Sequence, residues 1–278
     1  MALLKVLLLL GLVDTLETLY TLPLALNALS VAVTSVSLQK RIIGGQTCGD
    51  DERQYHVSIF VSKKKEVFMC GGSLISDQWV LTASHCWTSK PGWVNEVHVG
   101  VHPIRAPKKT YTITQREIYR DGNGREHDIM LLKLSEKTTI RPIKLPDCPD
   151  TLLLGTKVQI AGHGPTRLGF FNRRIINLSD DLQCAELKID KNEKMEEALS
   201  RLKTLQYSYQ KWYSVKTTKK DTSIGDSGSG WVFRNRLYGV HVFTGGSIYA
   251  HVAPAAFMDV CAYKKWIDDT INSWFLNV

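Results

Sequence analysis

The chain has 278 residues, 44% hydrophobic and 22% charged, with 20 Gly, 9 Pro and 6 Cys. These values are those of an ordinary globular protein and exclude a disordered, collagen-like or polytopic membrane chain. The formal net charge of +8 is a mild basic excess that serves solubility. No Lys/Arg stripe is interleaved with aromatics, so nucleic acid is not an expected partner.

Residues 1–13 (MALLKVLLLLGLV) form an apolar run with one early lysine, broken by Asp14 and Glu17. Such a run is too short to span a bilayer and reads as a secretory signal peptide. Residues 19–36 are apolar again but diluted by Thr, Ser, Pro23 and Asn27, which blurs the cleavage point; 1–30 is taken as the signal segment. A signal anchor is the rival reading. Six cysteines without a C-x-x-C pair suit disulfides in an oxidising compartment better than zinc or redox chemistry. Lys40 and Arg41 then precede Ile42-Ile43-Gly44-Gly45, a dibasic processing site before a small apolar start. Residues 31–41 read as a propeptide and 42–278 as one mature domain of two halves, about 42–147 and 148–278.

The mature part is dominated by strands. Apolar or alternating runs at 56–61, 67–75, 79–82, 96–101, 111–116 and 128–134 are separated by Gly, Pro, Asn and Asp clusters. A second set follows at 158–161, 187–189, 230–233, 237–243 and 249–252. Helical spacing is confined to 192–205 and to a closing segment from Val260 through Tyr263, Trp266, Ile267 and Ile271. The expected fold is all-β: two six-stranded antiparallel barrels with a C-terminal helix.

Three short segments carry chemistry. Thr82-Ala83-Ser84-His85-Cys86 follows a strand, His127-Asp128 heads the apolar strand Ile129–Leu134, and Gly225-Asp226-Ser227-Gly228-Ser229-Gly230 is a glycine-rich turn. Each alone is weak, since a His beside Cys, an Asp before a strand and a GDSG loop are common structural features. Together, in the order His, Asp, Ser, with two in the first half and one in the second, they form a nucleophilic constellation. A serine hydroxyl needs a base to remove its proton, and imidazole has a pKa near working pH.

With IIGG, Cys70-Gly71-Gly72-Ser73-Leu74-Ile75, TASHC, HDIMLLKL, GDSGSG and the C-terminal CAYKKWI, residues 42 to about 274 resemble the trypsin/chymotrypsin-like serine peptidases. The resemblance implies Ser227 as nucleophile, His85 as general base and then acid, and Asp128 as the group that orients it. It implies an oxyanion hole from the N–H groups of Gly225 and Ser227. Cleavage after Arg41 would free the Ile42 amine to pair with Asp226, so the uncut chain would be a zymogen. The implied disulfides are Cys48–Cys184, Cys70–Cys86 and Cys148–Cys261. Val158 with Phe233, and Ser223 with Ser247, stand where trypsin has further bridges.

Specificity, by the same resemblance, rests on Asp221, six positions before Ser227, whose carboxylate would seat Arg or Lys of a substrate. Val242-Phe243-Thr244 stands where trypsin has Ser-Trp-Gly, and Ala255 where it has a pocket glycine. Thr244 and Ala255 add bulk, and Val242 removes a hydroxyl that normally hydrogen-bonds the triad Asp, so reduced efficiency is expected. Asn177-Leu178-Ser179 is an N-glycosylation sequon. Residues 101–112, which by the resemblance stand where trypsin has its calcium loop, lack carboxylates, so no calcium is expected there; no other metal and no cofactor is expected. Lys63, Lys64, Lys65, Lys108, Lys109, Lys219 and Lys220 are candidates for a glycan-binding face, though a solvated charged surface is the simpler reading. The expected protein is a secreted, monomeric serine endopeptidase with protein or peptide substrates, an activating protease and protein protease inhibitors as partners. Its rivals are a catalytically impaired family member acting as a binding protein and a signal-anchored type II membrane protease.

Overall fold

The computed structural model describes residues 42–164, 167–175, 180–193, 195–197 and 209–273. The leader, Arg41 and Asn177 lie outside the described residues. In chain order the strands of the first half are β1 (Gln46–Thr47), β2 (His56–Lys63), β3 (Glu66–Leu74), β4 (Trp79–Thr82), β5 (Val94–Val99), β6 (Lys109–Tyr111), β7 (Ile113–Arg120) and β8 (Glu126–Leu134). Those of the second are β9 (Lys157–Gly162), β10 (Arg167–Leu168), β11 (Arg174–Ile175), β12 (Gln183–Asp190), β13 (Trp212–Val215), β14 (Gly230–Phe233), β15 (Arg236–Phe243) and β16 (Ala255–Asp259). The helix Val260–Asn272 follows.

One seven-stranded sheet runs β6-β5-β2-β3-β4-β8-β7. Its two edges are successive in the chain, with Thr112 between them, so the sheet must roll to bring them together. The other runs β1-β12-β13-β16-β15-β14-β9, and a β9–β12 ladder closes six of its strands into a barrel. The expected all-β double-barrel fold with a C-terminal helix is therefore the observed one. Its ladder is complete around the second half, while the first is a rolled half-barrel. β1 crosses over to pair with β12, and Cys48–Cys184 fixes that crossover.

Burial explains the sequence pattern. Ile129, Met130, Leu131 and Leu132 of β8 are all 0% exposed, so this strand reads as an unbroken apolar run. β12 alternates instead, with Ala185, Leu187 and Ile189 turned inward. Trp231 and Phe257 stack at 5.0 Å in the second core. Burying such a ring contributes on the order of 2–3 kcal/mol. The closing helix is capped by Asp259, which accepts from the Cys261 N–H at 3.0 Å, and it buries Val260, Tyr263 and Ile267 on one stripe.

Two local expectations differ, and a third is described only in part. Residues 249–252 form a turn with His251 at φ 63°, and Tyr249 makes only an isolated bridge to Arg173. The strand lies later, at β16, and pairs with β13, which the sequence pattern did not signal. Ala-Ala is a poor strand former and Trp-Tyr-Ser-Val is short, so pairing with each other and with β12 and β15 decides both. Of the helix expected at 192–205, Glu193 and residues 195–197 are helical, and 194 and 198–205 lie outside the described residues.

A candidate active site at the seam of the two halves

β4 and β8 are paired in register Thr82↔Met130, which sets the ends of these two strands side by side. A single 3-10 turn, Ser84–Cys86, follows β4 and carries His85, and the Cys70–Cys86 disulfide ties that turn to β3. His85 Nδ1 lies 2.7 Å from Asp128 Oδ2. The His85 N–H and the Ser84 hydroxyl both donate to Asp128 Oδ1, each at 3.0 Å. Gln210 Oε1 accepts from the Asp128 N–H at 2.7 Å and steadies the backbone there. Partial desolvation lowers the His85 pKa, but the Asp128 charge and hydrogen bond outweigh it, leaving the imidazole above its ordinary value. Burial raises Asp128, and the His85 charge with the converging donors pulls its carboxyl below the ordinary value. The result is a carboxylate that holds one tautomer of His85 and favours its cation.

The second half presents Ser227, half-buried, on the turn before β14. The turn is clamped across the seam, since the Gly71 N–H donates to Ser227 O at 2.7 Å. Gly228 sits at φ +79°, where an added Cβ would fall 2.3 Å from Gly71 O, so a side chain there would force the halves apart. Gly225 has φ +99°, a conformation open at little cost only to glycine. Among the described residues, neither the Gly225 nor the Ser227 N–H donates a hydrogen bond, and none joins Ser227 Oγ to His85. Asp226, beside Ser227, is fully buried. Its two oxygens accept from the Gly164 N–H at 2.9 Å and the Ser223 N–H at 2.8 Å. Among the described residues no cation is paired with it, and burial pushes its carboxyl up to about 7. Ile42 is also buried, at φ 47°.

Around the expected specificity pocket, Thr244 Oγ1 lies 3.2 Å from Thr222 Oγ1 and 3.1 Å from His241 Nε2. His241 is buried, and its Nδ1 accepts from the Trp231 N–H at 3.3 Å, so Nε2 carries the proton and donates to Thr244. Burial pushes His241 down to about 3, so it stays neutral at working pH. Thr244 thus ties the Thr222 segment to β15 instead of merely adding bulk. Ala255 is fully buried within the second core. Asp221 is 0% exposed and is paired to Arg174, whose NH2 lies 2.6 Å from its Oδ2. A cavity of about 190 Å³ opens beside the His–Asp pair, lined by His85, Asp128, Gln210, Trp212, Val242, Phe243 and Met258.

A family model described as Trypsin matches residues 42–267. This chain belongs to the trypsin family. Human serine protease 1 is 31% identical over 240 residues, covering 83% of this chain and 90% of that protein. Human kallikrein-14 is 29% identical over 259 residues, covering 89% and 91%. The solved structure of neuropsin, a serine protease expressed in the limbic system of mouse brain, superposes with a TM-score of 0.67 at 25% identity. It covers 83% of this chain, which in turn spans all of that structure.

Within this trypsin-family frame, the three disulfides are Cys48–Cys184, Cys70–Cys86 and Cys148–Cys261, the pairing that the resemblance implied. Four contributors are not legible in the sequence pattern. The hydroxyl that the trypsin pattern offers the triad Asp from position 242 is missing at Val242, and Ser84 supplies one from the turn before His85. A serine just ahead of the histidine was the available signal. Gln210 and Arg174 carried none, because each reaches its partner from a distant part of the chain, and His241 carried none because its burial is decided by packing.

Proposed function

We propose that this chain is a secreted serine endopeptidase, made as an inactive precursor, that cleaves peptide bonds through His85, Asp128 and Ser227. The 2.7 Å link between His85 Nδ1 and Asp128 Oδ2, at the seam that also holds Ser227, carries this reading. Asp128 fixes the Nδ1–H tautomer, so the Nε2 lone pair faces the cleft and takes the Ser227 proton as Oγ attacks the scissile carbonyl. The uncommitted N–H groups of Gly225 and Ser227 are the donors for the oxyanion. The His85 cation then protonates the leaving amine, and a water attacks the acyl group by the same base. These roles are those of the general serine protease triad.

Cleavage after Arg41 frees the Ile42 amine, and Asp226, buried without a cation, is the carboxyl that would receive it. The signal-like residues 1–30 and three disulfides support export from the cytosol. Asn177 is the proposed glycan acceptor. The preferred substrates are chains with Arg or Lys before the cut, seated on Asp221, at low efficiency; an activating protease and protein inhibitors are the expected partners. An impaired, binding-only member is the second reading, favoured by the closed state of Asp221. A fluorophosphonate probe on Arg41-cleaved protein decides between them. Labelling that disappears in Ser227→Ala is expected, and absence of labelling in the wild type sinks the peptidase reading.

A further inference from the structure

The pocket that should receive a substrate cation already holds one from the same chain. Arg174 lies in β11, the second strand of the small β10–β11 hairpin, and its side chain is 1% exposed. Its NH2 is 2.6 Å from Asp221 Oδ2, and its Nε donates to Gly246 O at 2.8 Å. The hairpin is stitched to the loop opposite by backbone bonds: the Arg174 N–H donates to Ile248 O at 2.8 Å and the Ala250 N–H to Asn172 O at 2.9 Å. Asp221 Oδ2 also accepts from the His251 N–H at 2.8 Å. The seat is not saturated, however. Among the described residues, Asp221 Oδ1 and Arg174 Nη1 are both buried without a hydrogen-bond partner. A guanidinium that used both carboxylate oxygens would satisfy what this pair leaves open.

We propose that Arg174 is an internal competitor for Asp221, so that a basic substrate side chain enters the primary pocket only by displacing it. The inference rests on the peptidase reading and deepens it, since it names the residue that makes an Arg/Lys pocket inefficient. Displacement is chemically reasonable, because an incoming cation keeps Asp221 paired while Arg174 moves to solvent with its hairpin, whose tip residues Phe170 and Phe171 are fully exposed already. None of the bonds that Arg174 itself makes involves Ile42 or Asp226, whereas the Asp221 N–H donates to Ile43 O at 3.0 Å, next to the Arg41 cut, so the plug is tested in the cleaved form. With the closed form dominant, the apparent affinity for any cationic ligand falls by the fraction of open pocket.

Benzamidine, a planar cation the size of a guanidinium, is titrated calorimetrically into the Arg41-cleaved full domain. Arg174→Gln, which keeps a donor for Gly246 O but no charge, should bind it at least ~10-fold more tightly than the wild type. Arg174→Gln/Asp221→Asn should lose that gain. Equal affinity of wild type and Arg174→Gln overturns the proposal. Should the single variant not fold, the wild type alone gives the answer by phenylglyoxal modification mapped by mass spectrometry. Arg174 should be protected without ligand and become reactive at saturating benzamidine; unchanged protection overturns the plug. Fluorophosphonate labelling of Ser227 is scored on the same samples. Tighter benzamidine binding without labelling would remove the peptidase reading and leave the plug standing, and labelling with equal binding would do the reverse.

Discussion

Replacing Asp226 with Asn in the uncut chain should abolish a pH dependence of stability that this one carboxyl imposes. Burial pushes Asp226 up to about 7, against about 3.9 in an unfolded chain. Between those values the unfolded state releases a proton that the folded state keeps. The contribution is therefore fully present below about pH 4 and is lost as pH rises through about 7. A carboxyl moved from about 3.9 to about 7 carries about 4 kcal/mol over the whole window, of which about 2–3 kcal/mol falls between pH ~5 and pH ~8. Asn keeps the shape, but its amide N–H₂ must face a backbone N–H of Ser223 or Gly164, a fixed cost of about 1–3 kcal/mol that pH does not alter. Asp259, pushed up to about 6 by burial, contributes the same sign in both proteins and cancels in the difference. The assay is urea denaturation of wild type and Asp226→Asn, both in a Ser227→Ala background to prevent self-cleavage, at about pH 5 and about pH 8. The wild type should lose about 2–3 kcal/mol more than the variant on going to the higher pH. A stability difference between the two proteins that is the same at both pH values would refute the reasoning. After cleavage at Arg41, pairing with the Ile42 amine should lower the Asp226 pKa and remove or reverse the slope.

Ser227→Ala and His85→Ala should each leave less than ~1% of peptide turnover with the fold intact by circular dichroism, because nucleophile and base act as a unit. Ser84→Ala should lower kcat about 10-fold, the value of one hydrogen bond to a charged group, and shift the acid limb of the pH–rate profile upward as Asp128 leans more on His85; Ser84→Thr should restore both. Arg41→Gln should leave an uncut chain with turnover below ~1% in a peptide assay, since Asp226 would have no amine to receive. Removing Cys70 and Cys86 together by Ala should cost about 3 kcal/mol in urea titrations, as expected for closing a loop with a separation of 16 residues.

The sequence by itself determined the fold class and the family, and named the residues proposed for the chemistry, because these depend on local signals. Period-two and unbroken apolar runs mark β12 and β8, a glycine-rich turn is needed wherever two halves approach as closely as Gly228 and Gly71 do, and Ser84-His85 sits next to its own disulfide. The strand pair β13–β16 was not legible, since Trp212–Val215 is too short to show a period and Ala255-Ala256 has little strand propensity, so pairing with each other and with β12 and β15 decides both. The same reason governs the site. Asp221 reads as a vacant anionic floor in one dimension, and nothing in Asn172-Arg173-Arg174 says which arginine turns inward. Only the docking of the β10–β11 hairpin on residues 246–250 buries Arg174 against Asp221, 47 positions away. Desolvation acts on both carboxyls, because burial disfavours the charged form and raises Asp221 as well as Asp226. Arg174 and the His251 N–H oppose that rise at Asp221, while Asp226, equally buried, meets only backbone N–H groups among the described residues, and that contrast exists only once the chain is folded.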